Sequence, residues 1–233
     1  MAEGYESDDE QIEALKQWWH EHGTSTVVTV VVALACYFGW QGWQSQQQES
    51  VVTASSIYEN MLVAAGPGDG TLTSEQRSTA NHLATTLKQD FPDSTYAQFA
   101  ALYKAKLAVA AKNLTDAEQE LQWVMDSADN ADIVLQATLR LARVLYAQQK
   151  YPEALALLDN DNAVYAAAFE EVRGDIYNAQ GERDKAKLAY LKASELNQQA
   201  QSPSPNPLLE LKIEQLNSKL ELTSTAPLAS EDS

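Results

Sequence analysis

One stretch of the chain, between Glu21 and Glu49, contains no Asp, Glu, Lys or Arg. Its centre, residues 27–43, reads VVTVVVALACYFGWQGW and is apolar apart from Thr29 and Gln41. A helix needs about 20 apolar residues, each rising about 1.5 Å, to cross a hydrocarbon layer about 30 Å thick. The stretch meets this requirement, so the sequence predicts a single transmembrane helix over residues 23–45.

Tryptophan side chains bracket this apolar stretch, Trp18 and Trp19 on one side and Trp40 and Trp43 on the other. From Trp19 to Trp40 a helix would extend about 31 Å, the separation of two membrane–water interfaces, where tryptophan is enriched. We therefore expect all four to be membrane-interface anchors. A buried core helix is the alternative, but a β-branched, charge-free run with tryptophan at both rims argues against it.

The residues around the apolar stretch predict that it is retained. A secretory signal begins with a basic region and ends at a small-residue cleavage site, whereas the 22 leading residues here are acidic. Ala35 before Cys36 leaves lipoprotein processing as an alternative, but the basic region is again missing. We expect an uncleaved, unlipidated anchor.

Residues 1–22 form an acidic leader in which Ile12, Leu15 and Trp19 stand at helical spacing. This pattern predicts an amphipathic segment at the membrane surface, although the same stripe could contact a neighbouring membrane protein. His20 and His22 lack further ligands at metal-site spacing, so the sequence predicts no metal site.

The basic residues near the anchor are few. Lys16 is the only one before Arg77. The positive-inside rule therefore favours a cytoplasmic N-terminus and a translocated C-terminal domain.

The remainder of the chain alternates helical patterns with short breaks and shows no alternating strand pattern. Only 9 of the 233 residues are glycine, and good helix formers are abundant, so we predict an all-α domain. A stiff Pro-rich linker is predicted over residues 202–207, and a disordered tail over 223–233. The predicted helices cover residues 50–65, 74–89, 95–112, 115–128, 131–149, 152–158, 163–180, 182–199 and 208–220.

Three segments of this domain resemble one another, residues 112–117, 149–154 and 181–186. They recur at intervals of 37 and 32 residues, around the 34-residue period of tetratricopeptide repeats. Small residues such as Gly174 let paired helices approach closely, while Tyr190 fills the space between them. We therefore predict a tetratricopeptide-like α-solenoid over residues 46–201, followed by the linker, a terminal helix and the tail over 202–233.

In such a solenoid the first helix of each pair lines a concave groove, the usual surface for binding a peptide or protein. Each groove residue considered singly is also consistent with an ordinary solvated side chain. The predicted groove residues are Lys106, Arg143, Tyr146, Asp175 and Asn178.

Composition and motifs disfavour several functions. The net charge of −17 would repel nucleic-acid phosphates, and a single cysteine allows no internal disulfide. There is no Gly-rich phosphate loop, CxxC, HExxH or GxSxG pattern. We expect no catalytic residues and no cofactor, with a membrane-anchored hydrolase as the competing class.

The anchor and the repeats together resemble the YfgM family, the ancillary subunits of the SecYEG translocon. The resemblance extends from about residue 6 to residue 220, although the final linker and tail look longer than the family pattern. The segments that carry it are residues 8–16, 39–43, 139–144 and 172–177.

This resemblance implies a non-enzymatic, single-pass protein of the bacterial inner membrane, with its repeat domain in the periplasm. The implied partners are the SecYEG translocon, a PpiD-like periplasmic chaperone and unfolded or translocating polypeptides. An alternative keeps the repeats and changes the process, to an adaptor in cytochrome maturation or outer-membrane assembly.

Overall fold

A computed structural model of the chain describes residues 4–66, 72–159, 164–199 and 206–224. The described residues contain helices and short connections and no β-strand, which confirms the predicted all-α class. The helices are α1 (Gly4–Ala65), α2 (Ser74–Asp90), α3 (Thr95–Ala110), α4 (Leu114–Ser127), α5 (Ala131–Ala147), α6 (Tyr151–Leu158), α7 (Ala166–Ala179), α8 (Arg183–Gln199) and α9 (Pro207–Ser224).

Helix α1 runs without a break for 62 residues. The sequence pattern predicts a separate helix from residue 50, and the structure corrects this boundary. Residues 43–65 contain no glycine or proline, so nothing in the sequence ends the helix there. The helix stops at Gly66, whose φ of +66° is a left-handed conformation that glycine adopts at little cost.

The chain forms two compact units, residues 1–53 and 54–233. In the first, the apolar side chains of the predicted span are exposed; Phe38, for example, has 65% of its surface accessible. Among the described residues, one helical segment, Val27–Ala65, is long and apolar enough to cross a membrane. This segment overlaps the predicted span at residues 27–45.

Four helices of the second unit, α2 to α5, begin with side-chain caps. Thr73 and Gln76 form a reciprocal capping box at the start of α2. The side chains of Ser94, Asn113 and Asn130 accept backbone hydrogen bonds at the starts of α3, α4 and α5. These caps satisfy N–H groups that have no partner within the helix.

Left-handed residues at equivalent positions end the first helix of three successive pairs. Lys112, Gln149 and Gly181 have φ values of +60°, +63° and +81°. After each, a backbone N–H reaches the carbonyl five residues earlier, as from Asn113 to Ala108 at 2.9 Å. Lys150 and Glu182 make the same bond to Leu145 and Tyr177. This is the Schellman motif. Its recurrence at the intervals read from the sequence supports the predicted three-repeat organisation.

Three apolar clusters hold the second unit together. The first joins the last turns of α1 to α2 and α3 through alanines and Met61. The second extends from α3 to α7 around Leu121 and Phe169. The third joins α8 to α9 and includes Tyr190. Small alanines at the contacts allow close helix approach, while the large side chains fill the intervening space.

Candidate partner-binding cleft

A cleft with a volume of about 600 Å³ lies between the end of α1 and helices α3 and α5. Helices α3 and α5 are the first helices of successive pairs, so the cleft lies on the face where the solenoid pattern predicts a groove. Side chains from α1, α3, α4 and α5 line it: Tyr58, Phe99, Leu102, Tyr103, Ala105, Lys106, Val109, Leu114, Leu121, Gln136, Arg140, Arg143, Val144 and Ala147.

Aromatic rings form one part of this cleft. The ring centroid of Tyr58 lies 6.1 Å from that of Phe99, and Phe99 keeps 37% of its surface exposed. Burial raises the pKa of both Tyr58 and Tyr103, which moves it further from physiological pH, where a phenol is already neutral. The rings therefore offer a neutral surface on which an apolar side chain can pack.

Three cations stand at the same cleft, namely Lys106, Arg140 and Arg143, all exposed. No carboxylate is among the lining residues. Within the described part of the chain, none of the three forms a salt bridge or a side-chain hydrogen bond. The cleft thus combines an apolar wall with uncommitted positive charge.

The predicted groove residues separate into two groups. Lys106 and Arg143 line the cleft, whereas Tyr146, Asp175 and Asn178 are outside its lining. Asn178 is exposed, and Tyr146 is half-buried with its ring centroid 6.1 Å from that of Tyr151. The pKa of Tyr146 is raised, first by burial and then by the negative charge of Asp175.

Asp175 contacts α8 and α9. Its carboxylate accepts a hydrogen bond from the Tyr190 hydroxyl at 2.7 Å and pairs with Lys212 Nζ, also at 2.7 Å. Lys212 also contacts Glu171 at 2.8 Å, and Asn206 donates to Glu171 at 3.1 Å. We refer to Glu171, Asp175, Tyr190, Asn206 and Lys212 as the polar network.

Helix α9 is the predicted terminal helix, and its packing was not predicted. Leu209 and Leu216 are buried against α8, beside the polar network. The Pro-rich residues before α9 predict a stiff spacer. Their composition carries no information about how the next helix packs, so the contact between α9 and α8 had no signal in the sequence. The described repeat packing therefore extends to Leu216, while residues 200–205 and 225–233 of the predicted linker and tail lie outside the described residues.

Four lining residues of the cleft are absent from the predicted groove: Arg140 and the aromatic residues Tyr58, Phe99 and Tyr103. A usable signal was present, since Arg140 precedes Arg143 by three residues and Tyr103 precedes Lys106 by three. Residues three apart share a helix face. The sequence does not show how closely α5 packs against α3, because the spacing of residues within one helix says nothing about the position of another helix.

The tryptophans predicted as interface anchors lie on α1 with exposed rings. Trp40 is 64% exposed, and its ring centroid is 5.5 Å from that of Trp43. Trp18 and Trp19 have their centroids 6.4 Å apart. Their role at a membrane surface stays a prediction.

Comparison with known proteins places this arrangement in context. A family model described as a tetratricopeptide repeat-like domain matches residues 16–218. A protein of Aggregatibacter actinomycetemcomitans is 29% identical over 81% of this chain and 89% of its own length. A protein of Escherichia coli K12 is 28% identical over 80% of this chain and 86% of its own length. A protein of Neisseria gonorrhoeae is 28% identical over 90% of this chain and 97% of its own length.

All three relatives bear the name ancillary SecYEG translocon subunit. No solved structure matches the chain with significance. The apolar N-terminal helix and the relatives' names fit a single-pass inner-membrane protein. The chain belongs to the tetratricopeptide repeat-like family, and its predicted resemblance to the ancillary SecYEG translocon subunits is confirmed.

Proposed function

We propose that this protein is a non-enzymatic ancillary subunit of the SecYEG translocon. Its anchor would hold it beside the translocon in the bilayer, and its repeat domain would bind translocated polypeptides or a PpiD-like chaperone. The relatives share one name, and their similarity to this protein covers most of both chains. This shared name carries the translocon assignment. The open cleft on the repeat domain supports the binding role.

Topology is part of this proposal. We expect the N-terminus in the cytoplasm and the repeat domain in the periplasm, with the membrane span over residues 23–45. Lys16 supports this orientation through the positive-inside rule. A repeat domain that meets polypeptides leaving the translocon must lie on the side where they emerge.

Photocrosslinking tests the translocon assignment. A photoreactive residue would replace Val31 or Phe38, whose side chains are exposed on α1. We expect adducts with a translocon subunit in intact membranes. A matched probe at Val164, exposed in the second unit, controls for random collision within the cell envelope. Anchor probes that yield no translocon adduct while the protein is present at normal abundance would contradict the proposal.

A topology reporter tests the orientation. Alkaline phosphatase fused after Ser233 should be active, because that enzyme requires the periplasm to form its disulfides. The same reporter fused after Lys16 should be inactive. An inactive C-terminal fusion present at full length would overturn the proposed orientation.

A further inference from the structure

We propose that the cleft between α1, α3 and α5 binds an acidic, amphipathic segment of another polypeptide. Such a segment would place aromatic or aliphatic side chains against the cleft wall and carboxylates beside Lys106, Arg140 and Arg143. The inference rests on the proposed function, because it names the class of ligand for the repeat domain. Charge complementarity and the chemistry of the lining carry it.

The charge of the cleft runs against that of the whole chain. The protein has 33 acidic and 16 basic residues, yet the cleft lining contains three bases and no acid. Elsewhere in the repeats, several cations pair with carboxylates of the same chain. Lys104 pairs with Glu120 at 2.8 Å, and Lys150 pairs with Glu118 at 2.8 Å. Among the described residues that line the cleft, by contrast, there is no Asp or Glu to pair with the three cations.

Uncommitted cations favour an anionic ligand in two ways. They lose no internal ion pair when the ligand binds, and they attract it from a distance within the Debye length. Arg140 and Arg143 each carry a planar guanidinium, which holds a carboxylate through two parallel hydrogen bonds. Lys106 adds a third positive charge from the neighbouring helix α3.

The apolar wall of the cleft requires the ligand to carry apolar side chains as well as negative charge. Phe99 and Val109 are exposed, at 37% and 45%, beside the half-buried rings of Tyr58 and Tyr103. Covering this surface releases water and supplies affinity that is independent of charge. The wall thus selects a polypeptide with apolar side chains.

Peptide binding to the full-length protein in lipid nanodiscs tests the inference. The probe is a fluorescent synthetic peptide in which Leu and Phe alternate with Glu. Its matched partner has Gln at every Glu position, and empty nanodiscs control for binding to lipid. Fluorescence anisotropy should show the acidic peptide binding about tenfold more tightly, with the advantage shrinking as salt is added.

Substitutions then locate the effect. The triple variant Lys106→Gln, Arg140→Gln, Arg143→Gln should remove the preference for the acidic peptide. Arg183→Gln, which removes an exposed cation outside the cleft lining, should retain it. Phe99→Ala should weaken both peptides. Circular dichroism checks that each variant keeps its helices, as expected for exposed or half-exposed positions.

Equal affinity of the two peptides for the unmodified protein would overturn the inference. So would a triple variant that folds and keeps the preference. These outcomes are separate from the translocon test, because anchor crosslinks report the translocon whatever the cleft binds. Loss of those crosslinks with an intact peptide preference would reject the proposed function alone.

Discussion

At the residue scale, Gly174 of α7 lies directly against the buried ring of Tyr190 on α8. A methyl group at Gly174 would collide with two ring carbons. The ring has little freedom to move, because Tyr190 is 1% exposed and its hydroxyl donates to Asp175. The absence of a side chain at Gly174 is therefore what permits α7 and α8 to pair closely.

Substituting Gly174→Ala should lower the free energy of unfolding by about 1–3 kcal/mol, the usual cost of overpacking. Thermal unfolding of the full chain in mild detergent measures the change. The double variant Gly174→Ala, Tyr190→Leu should show strong coupling, since a smaller side chain removes the collision. Additive losses would show that the close approach is unimportant.

Tyr190 also gives the fold a pH dependence. Burial and the hydrogen bond to Asp175 raise the pKa of its phenol far above 10. The stabilisation is complete below pH about 10, where folded and unfolded tyrosine are both protonated. Above that pH the unfolded phenol ionises first, so the free energy of unfolding falls as pH rises.

We expect Tyr190→Phe to cost about 1 kcal/mol at pH 8 through the lost hydrogen bond, and to fall less steeply in stability above pH 10. Chemical denaturation across pH 8 to about pH 11 compares the two slopes. Tyr37, exposed on α1, provides the control substitution Tyr37→Phe. Parallel slopes for the Tyr190 variant and the unmodified chain would contradict this explanation.

At the scale of single elements, the turns after α3 and α5 contain strain that the turn after α7 avoids. Lys112 and Gln149 hold left-handed conformations, whereas Gly181 occupies the equivalent position without a Cβ. Left-handed backbone costs an ordinary residue about 1 kcal/mol. The same motif is therefore built at different energetic cost in successive repeats.

Replacing Gln149→Gly should raise the free energy of unfolding by up to about 1 kcal/mol. The matched control is Gln180→Gly, at an exposed helix end with φ of −78°, where glycine only adds freedom to the unfolded chain. Thermal unfolding should show opposite signs for the two variants. A loss of stability in both would disprove the strain argument.

Helix α9 is a second element whose position depends on few residues. Burial disfavours the charged form of Lys212, but hydrogen bonds from its ammonium group to Asp175 and Glu171 outweigh this, and its pKa is raised. Removing Lys212 leaves two carboxylates without their cation. The apolar contacts of Leu209 and Leu216, with the hydrogen bond from Asn206 to Glu171, would then have to hold α9.

Lys212→Ala should increase amide hydrogen exchange in α9 by at least about tenfold, the effect of losing a charged hydrogen bond. Exchange in α3 and α4 should not change. Lys187→Ala on α8, a lysine without a described ion pair, is the control. Unchanged α9 protection in Lys212→Ala would show that the remaining contacts hold this helix without the ion pairs of Lys212.

These elements also show how far the sequence could predict the fold. The predicted starts of α3, α4 and α5, at residues 95, 115 and 131, lie within one residue of the starts in the structure. Two helix ends were predicted two residues too late, at Lys112 and Gln149, because lysine and glutamine ordinarily continue a helix. At Gly181 the composition itself indicated the turn, and the predicted end was off by one residue.

The site was predicted only in part, for a physical reason. Lys106 and Arg143 follow from the face that each first helix exposes, which is a property of one helix. Their meeting with Tyr58 depends on the rotation between successive helix pairs. The engagement of Asp175 by α9 depends on where the chain returns after its linker. Neither property has a local sequence signal.

At the scale of the whole molecule, the chain combines an exposed apolar helix in one compact unit with a repeat domain in the other. The two have separate roles in the proposed function. In that proposal the helix would contact the translocon within the membrane, and the repeat domain would contact the polypeptide outside it. Replacing one should therefore leave the other contact intact.

The most direct test of this account is binding of the purified full-length protein to SecYEG in nanodiscs. We predict co-elution of the two, and its loss when residues 23–45 are replaced by an unrelated apolar helix. The triple cleft variant Lys106→Gln, Arg140→Gln, Arg143→Gln should still co-elute. Failure of the folded, unmodified protein to bind SecYEG would contradict the central claim that it is an ancillary translocon subunit.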